Sequence, residues 1–447
     1  MGRTAAQEAA FANRMLARAD QYLAAVDDAY ILKERGHSIR PMPKFRPEEI
    51  TIGRELGRGG FGVVCEIKKF VLDAVEPPER DVPPENPPDD SPGGDEEKET
   101  ATTMQMDSVM SKSGHFSEIA DSEHYAIDKA RQVMANRVLK NGTPRYALKL
   151  LHGELSQVEK ARGMIDLALE AKYLSIVWHP NIIKMRGMAK GDMVDPDFFI
   201  ILDRLHETLT KRMNRWHKEY RKYNVTFLGM CRNKKGLAAL MLERMTVAYD
   251  LAAAFFYLHE NRLVYRDIKP ENIGFDVRGD VKVFDFGLCK SLSSKLKARD
   301  GGYGYRLTGK AGSLPYMAPE VALMKTYDTK CDVYSFAILL WEMLSCKPAF
   351  DKYSTVQFIE KVAVENERLP VEKSWPPLTR LMLPEAWDHD PAKRPDMKRV
   401  AILIRGDLND LTTDEKVLHR TKHLQNRSQH SLEGDDDGQD LDGFDKV

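Results

Sequence analysis

Apolar residues recur along this chain with two periods. From Ala5 to Leu32 they fall at Phe11, Met15, Tyr22, Val26 and Tyr30 among strong helix formers, spacings of four and seven that predict one amphipathic helix. Its stripe is expected to pack on the protein's own surface, with a partner protein as the alternative. Gly36 and then Pro41, Pro43 and Pro47 end the helix and make a linker. Period two takes over at Ile50-Thr51-Ile52-Gly53 and again at Val63 to Ile67, so the glycine-rich stretch between them reads as a hairpin. Tyr146 to Leu151 predicts a further strand, and the apolar run Phe198 to Leu202 a buried one. Helical spacing surrounds Glu170, with Ile165, Leu169 and Leu174 on neighbouring faces. It is broadest from Leu237 to His259, where Leu240, Met241, Met245, Ala248, Leu251, Ala252, Phe255 and Phe256 form one apolar face; these methionines are core, not a cofactor box.

Between Val71 and Arg145 the pattern lapses. Glu76 to Glu99 is rich in Pro, Asp and Glu, too charged to bury a core, and is expected to be disordered; Ser122 to Leu139 regains helical character. An insertion between two strands can loop into solvent, because closure entropy grows slowly with length. It serves either as a spacer or as a docking element. From Lys211 to Lys235 nine basic residues crowd around Trp216, Tyr220 and Tyr223. Such interleaving is compatible with nucleic acid or acidic lipid, but a solvated helix and loop is the preferred reading. From Thr412 the chain turns polar, and Glu433 to Asp445 is acidic.

Composition narrows the setting. With 67 basic and 68 acidic residues in 447, the formal charge of -1 gives no global attraction to polyanions or membranes. Five cysteines, an odd number without paired metal-ligand spacing, point to a reduced, cytoplasmic setting with nuclear access open. No apolar run approaches a membrane span. The start lacks the hydroxyl of a myristoylation signal at Ala6, and Glu8, Asp20, Asp27 and Asp28 argue against a transit peptide.

The chemistry concentrates in Val264 to Cys289, which contains Tyr265-Arg266-Asp267-Ile268-Lys269-Pro270-Glu271-Asn272 and, one hairpin later, Asp285-Phe286-Gly287. This pair of motifs, with Leu56-Gly57-Arg58-Gly59-Gly60-Phe61-Gly62-Val63-Val64 upstream, resembles the eukaryotic protein kinase superfamily from about Ile50 to about Ile404. A glycine triplet alone also suits dinucleotide-binding turns, but those lead into a helix and this one continues as a strand. The resemblance implies an α+β, two-lobed fold: a small, mainly antiparallel β N-lobe with one regulatory helix, and a larger, mainly α-helical C-lobe. The expected boundaries are 1–48 for the helical extension and linker, 49–203 for the N-lobe with its partly disordered insertion at about 72–144, 204–404 for the C-lobe, and 405–447 for the tail.

It also implies roles. Asp267 would accept or orient the substrate hydroxyl, Lys269 would face the transferring phosphate, and Asn272 and Asp285 would each hold Mg2+, a hard ion suited to oxygen ligands. Lys149, held by Glu170, would anchor the ATP phosphates. Leu56, Gly57, Arg58, Gly59, Gly60, Phe61, Gly62, Val64, Ala147, Asp203 and Leu205 would line the nucleotide cleft, with glycines letting backbone N–H groups approach phosphate. Lys-Pro-Glu-Asn after Asp267 resembles the serine/threonine type, and the lower lobe, with Leu369-Pro370 and Trp375-Pro376, resembles the tyrosine-kinase-like group. Asp332 would brace the catalytic loop and Arg394 would pair with Glu320. Ser313 would sit at the substrate loop. Arg266 would receive a phosphate that an upstream kinase places on Thr308; the basic segment, with Lys290, Lys295, Lys297, Arg299, Arg306 and Lys310, is expected to be poorly held before that. Gly274 departs from the family, leaving the floor beneath adenine thin unless Ile273 or Phe275 fills it. The expected function is transfer of the ATP γ-phosphate to Ser or Thr of protein substrates. The alternative is a pseudokinase scaffold, which normally shows as a missing Lys, catalytic Asp or metal-binding Asp; none is missing here.

Overall fold

The structure, a computed structural model, describes residues 5–34, 36, 39, 41–72, 125–224, 233–298, 303–309 and 311–411. The acidic stretch 76–99, Cys231, Arg232, Arg299, Lys310 and the tail from 412 lie outside the described residues.

The predicted N-terminal helix is three: α1 (Ala5–Leu16), α2 (Ala19–Asp27) and α3 (Tyr30–Lys33). The breaks change which residues face inward. Ala12, Ala19, Leu23, Val26, Ala29 and Ile31 are buried, whereas Tyr22 of the expected stripe is exposed. The helices do pack on the protein's own surface, against the long helix of the small lobe.

After β1 (Lys44–Phe45) come the expected hairpin strands β2 (Ile50–Arg58) and β3 (Gly62–Phe70), then helix α4 over residues 125–136 and a small hairpin of β4 (Leu139–Lys140) and β5 (Thr143–Pro144). The helical half of the insertion is therefore part of the lobe. Met134 and Val138 join its core, Arg131 lies over the Phe45 ring at 5.3 Å, and the same guanidinium pairs with buried Glu49 at 2.7 Å. Strand β6 (Tyr146–Leu151), helix α5 (Gln157–Ile176) and strands β7 (Met185–Ala189) and β8 (Phe199–Asp203) complete the small lobe. Six strands run β1-β7-β8-β6-β3-β2, all pairs antiparallel except β1 with β7. A reciprocal cap starts helix α5: Ser156 caps the Glu159 N–H and Glu159 returns the bond to the Ser156 N–H.

The larger lobe opens with β9 (Glu207–Thr208), α6 (Leu209–Asn224) and α7 (Lys234–Glu260), the last capped by Asn233 on the Gly236 N–H. Three short strands, β10 (Leu263–Val264), β11 (Ile273–Phe275) and β12 (Val281–Val283), frame the motif-bearing loop, and β13 (Lys290–Ser291) pairs back on β10. Helices α8 (Pro319–Ala322), α9 (Lys330–Ser345), α10 (Thr355–Gln357), α11 (Pro377–Ala386) and α12 (Met397–Asp410) follow. Helix α9 is apolar nearly all round and lies at the centre of the lobe. The two-lobed α+β expectation matches this architecture. Among the described residues no helix is long and apolar enough to cross a membrane.

The basic segment is less free than its composition suggested. Arg212 pairs with Glu207 at 2.5 Å and Glu243 at 2.9 Å, and Arg215 with Glu207 at 3.0 Å. Trp216 is fully buried, so this ring of the aromatic interleaving is core.

Candidate active site

Strand β6 places Lys149 between Val64 of β3 and Ile200 of β8, with its side chain under the sheet toward α5. Its Nζ lies 2.5 Å from Glu170 Oε2 and 3.2 Å from Asp285 Oδ1. Burial alone would pull the lysine's pKa down, but the Asp285 and Glu170 carboxylates outweigh it and hold the ammonium above its ordinary value. In return Lys149 holds the Asp285 carboxyl below the usual range, against its burial. Three segments, β6, α5 and the loop after β12, thus converge on one charged centre.

The loop after β10 is pinned from below by Asp332 of α9, fully buried, whose oxygens accept the Tyr265 and Arg266 N–H groups, each at 2.8 Å, and face His259 Nε2 at 2.9 Å. Above it, Asp267 is surrounded by donors. Lys269 Nζ reaches Oδ2 at 2.7 Å, Asn272 Nδ2 reaches the same oxygen at 2.7 Å, and Ser313 Oγ reaches Oδ1 at 3.1 Å. Phe284, next to Asp285, donates its N–H to the Asn272 carbonyl at 3.0 Å, which ties the two motifs together. Tyr265 packs edge-on against Phe286, ring centroids 5.3 Å apart, and its hydroxyl donates to the Phe284 carbonyl.

Arg266 and Asp285 adopt left-handed backbone, φ 72° and 67°, which non-glycine residues hold only where surroundings enforce it. Gly312 shows how tight the enclosure is. At φ 94°, a Cβ there would meet the Arg266 carbonyl at 2.3 Å, so only glycine lets the segment lie against the loop.

The glycine hairpin closes through Gly59 N–H to the Gly62 carbonyl at 2.8 Å, while Gly57 and Gly60 border open space. Phe61 is folded onto α5, where a Cβ on Gly163 would lie 2.9 Å from its own. Arg58 pairs with Glu55 of the same strand at 2.9 Å, both side chains about half exposed. Ala147 is buried opposite Leu202, and Leu56 and Val64 are partly buried. Asp203 sends its side chain to Arg186 at 2.7 Å and 3.0 Å, leaving its backbone at the connection between lobes. The thin floor expected at Gly274 does not exist. A Cβ there would meet Leu205 Cδ1 at 2.7 Å: Leu205 fills the space, not Ile273 or Phe275. Neither backbone group of Leu205 has a partner among the described residues.

A family model described as the protein kinase domain matches residues 132–402, more than half of the chain. The chain belongs to the protein kinase family. Among curated relatives it is 30% identical over 236 residues to Serine/threonine/tyrosine-protein kinase HT1 of Arabidopsis thaliana, covering 53% of each chain. It is 36% identical over 157 residues to Dual specificity protein kinase shkB of Dictyostelium discoideum, covering 35% of this chain and 23% of that one. With Serine/threonine-protein kinase STY17 of Arabidopsis thaliana the identity is 31% over 179 residues, 40% of this chain and 30% of the relative. The chain spans about half of the first of these and under a third of the others.

Among its described residues the segment between Asp285 and Glu320 is fastened at Thr308, where a poorly held segment was expected. Arg266 Nη1 donates to the unmodified Thr308 Oγ1 at 2.9 Å and lies 3.1 Å from the Tyr327 hydroxyl, which donates to the Thr308 carbonyl at 2.7 Å. Tyr327, with no motif around it, carried no sequence signal for this contact. Glu320 and Arg394 form the expected buried pair, two bonds at 2.7 Å and 2.8 Å.

Asp166 was also missed. It lies one turn before Glu170 on α5, against Gly287, where a Cβ would come 3.2 Å from its own. Burial, with Asp285 adding to it, pushes its carboxyl up to about 7. An acid whose folded pKa is raised binds more protons folded than unfolded, so its favourable contribution is full below about pH 4 and is lost as pH rises towards 7. In metal-free protein, Asp166→Asn should therefore raise the melting temperature more at about pH 8 than at about pH 5. Equal shifts at the two pH values would show that the carboxyl does not titrate there.

Proposed function

We propose that this protein is an active kinase that transfers the γ-phosphate of ATP to Ser and Thr hydroxyls of protein substrates, using Mg2+. The observation that carries the reading is the convergence of Lys149, Glu170 and Asp285 beside an Asp267 held by Lys269, Asn272 and Ser313. A scaffold that never turns over needs no such convergence.

The residues present fit the absent groups. Asn272 spends its amide nitrogen on Asp267 and keeps its amide oxygen, and Asp285 keeps the carboxylate oxygen that Lys149 does not take; these are the hard oxygen donors Mg2+ prefers. When bound, the ion offsets charge on the phosphate oxygens. Lys149 holds a phosphate from the side of β6, and the open space at Gly57 and Gly60 leaves room for one from above. The free N–H and C=O of Leu205 offer the adenine edge a donor and an acceptor, while its side chain supplies the floor. Asp267 Oδ2 carries two donors and Oδ1 one, so Oδ1 is the atom that takes the substrate hydroxyl's proton. Lys269 then offsets charge beside it. Thr308 is the regulatory phosphosite, filled by an upstream kinase.

Radiolabelled ATP with a generic basic protein, followed by phosphoamino-acid analysis, tests this. Label on Ser and Thr supports it. Label on Tyr as well would extend it to the dual specificity that one relative's name carries. No transfer, with nucleotide still bound, would establish the scaffold reading. Removing 76–99 should leave transfer to a short peptide nearly unchanged, since the strip has too few apolar residues to join a core. Loss of cooperative melting would overturn that.

A further inference from the structure

The helical extension α1–α3 lies outside the residues the family model matches, yet it reaches both halves of the proposed catalytic apparatus. On one side it covers the back of α5. Lys172, two residues beyond Glu170, places Nζ 2.7 Å and 2.6 Å from the two carboxylate oxygens of Asp27 and 3.3 Å from the Leu23 carbonyl. These bonds form where α2 ends, and they anchor the face of α5 that points away from Lys149. Below them Ala19, Leu23 and Val26 continue the same buried cluster as Leu174 and Tyr173 of α5.

On its other side the extension touches the larger lobe. Asp28 lies 3.3 Å from Lys295 of the activation segment, and Lys290 Nζ sits over the Tyr22 ring at 5.2 Å. Arg262, just before β10, stacks on Tyr30 at 4.1 Å and lies 3.8 Å from Glu34. Tyr173 of α5 meets the same region from within, its hydroxyl accepting the Ser291 N–H at 3.1 Å. Adjacent carboxylates, Asp27 and Asp28, thus face opposite ways: one to the helix that carries Glu170, the other to the segment that carries Thr308. The charges are complementary at both ends, and the intervening helix turn is short and has a buried seat, with Ala29 and Ile31 fully covered.

We propose that α2 and α3 form an intramolecular strap that holds α5 in the position where Glu170 meets Lys149, with Asp27 and Lys172 as its positioning residues. The proposal rests on the reading of Lys149 and Glu170 as catalytic machinery. A helix can approach or leave the sheet only as a unit, so a bond to its back face governs the pair on its front face. Neither Asp27 nor Lys172 touches nucleotide or substrate on that reading, so each acts only through the placement of Glu170.

The test uses the full chain with Asp27→Lys, Lys172→Glu and the double exchange. Each single change turns an attraction between partly exposed groups into a repulsion of similar size, so kcat/KM should fall by about three- to tenfold. Amide hydrogen exchange within α5 should quicken by a similar factor. The double exchange restores the pair with its charges reversed and should recover most of both quantities. A general loss of stability would not be repaired in this way. Single variants with wild-type kcat/KM and unchanged α5 exchange would overturn the strap, as would a double variant no better than the singles. Hydrogen exchange reads the strap whether or not the wild type transfers phosphate. An inactive wild type with a responsive α5 would therefore sink the catalytic reading alone, and an active one with an indifferent α5 the strap alone.

Discussion

Asp285→Asn should reduce phosphate transfer by at least about a hundredfold, because partners one step removed from a metal already cost tenfold to a hundredfold when lost. The reasoning starts from charge. Lys149 holds Asp285 ionised despite its burial, and Asn keeps the shape but removes the negative charge that both Lys149 and a divalent ion require. Fold should survive, since Asp285 has no apolar packing role and the Phe286 ring beside it keeps its seat on Tyr265. ATP titration at several Mg2+ concentrations, with a melting curve alongside, separates the two effects. Near wild-type turnover in a variant that still folds would mean that Asp285 is not a metal ligand and that the site has been misassigned.

Motifs were legible where a local run of residues carries its own geometry. Gly57 to Gly62 could be recognised as a hairpin because strand pattern continues on both sides, and the helix around Glu170 from the spacing of Ile165, Leu169 and Leu174. Glu170 could be matched to Lys149 only through resemblance, since nothing in the stretch between them, a separation of 21 positions, specifies a meeting. What stayed hidden depends on residues distant in sequence filling a shared space. Gly274 reads as a gap until Leu205, from the connection between the lobes, is seen in it. The N-terminal stripe misled for a related reason: alanines at 12, 19 and 29 carry the close packing, and small residues raise little hydrophobic signal compared with Tyr22, which is exposed. Asp166 looks like a solvated helix residue until Asp285 and Gly287 are placed beside it.

Loss of the Thr308 hydroxyl should lower activity by about ten- to a hundredfold, the equivalent of one hydrogen bond to a charged group across its range of about 1.5–3 kcal/mol. The contact between Arg266 and unmodified Thr308 already exists, so a phosphate has no pocket to create. It would replace a bond from the guanidinium to a neutral hydroxyl, at 2.9 Å, with an ion pair, adding about −1.5 to −2 of charge and three acceptor oxygens. Lys290 adds to that pull: burial, and then the Arg266 charge, hold its ammonium below its ordinary pKa, and a phosphate would relieve the second of these. The segment gains because Arg266 is itself fastened, through Nε to the Leu288 carbonyl at 2.7 Å and through its backbone to Asp332, so anything bound to it is bound to the catalytic loop. Arg266→Ala should therefore lower activity and abolish the response to phosphatase, whereas Thr308→Ala, which loses the hydroxyl contact as well as the phosphate, should fall to or below phosphatase-treated wild type. Ser313→Ala separates the two sites: its hydroxyl is on Asp267, so it should slow transfer while leaving the response to phosphatase intact. Full activity in phosphatase-treated wild type would show that the bond to the unmodified hydroxyl already orders the segment, and that any switch acts elsewhere.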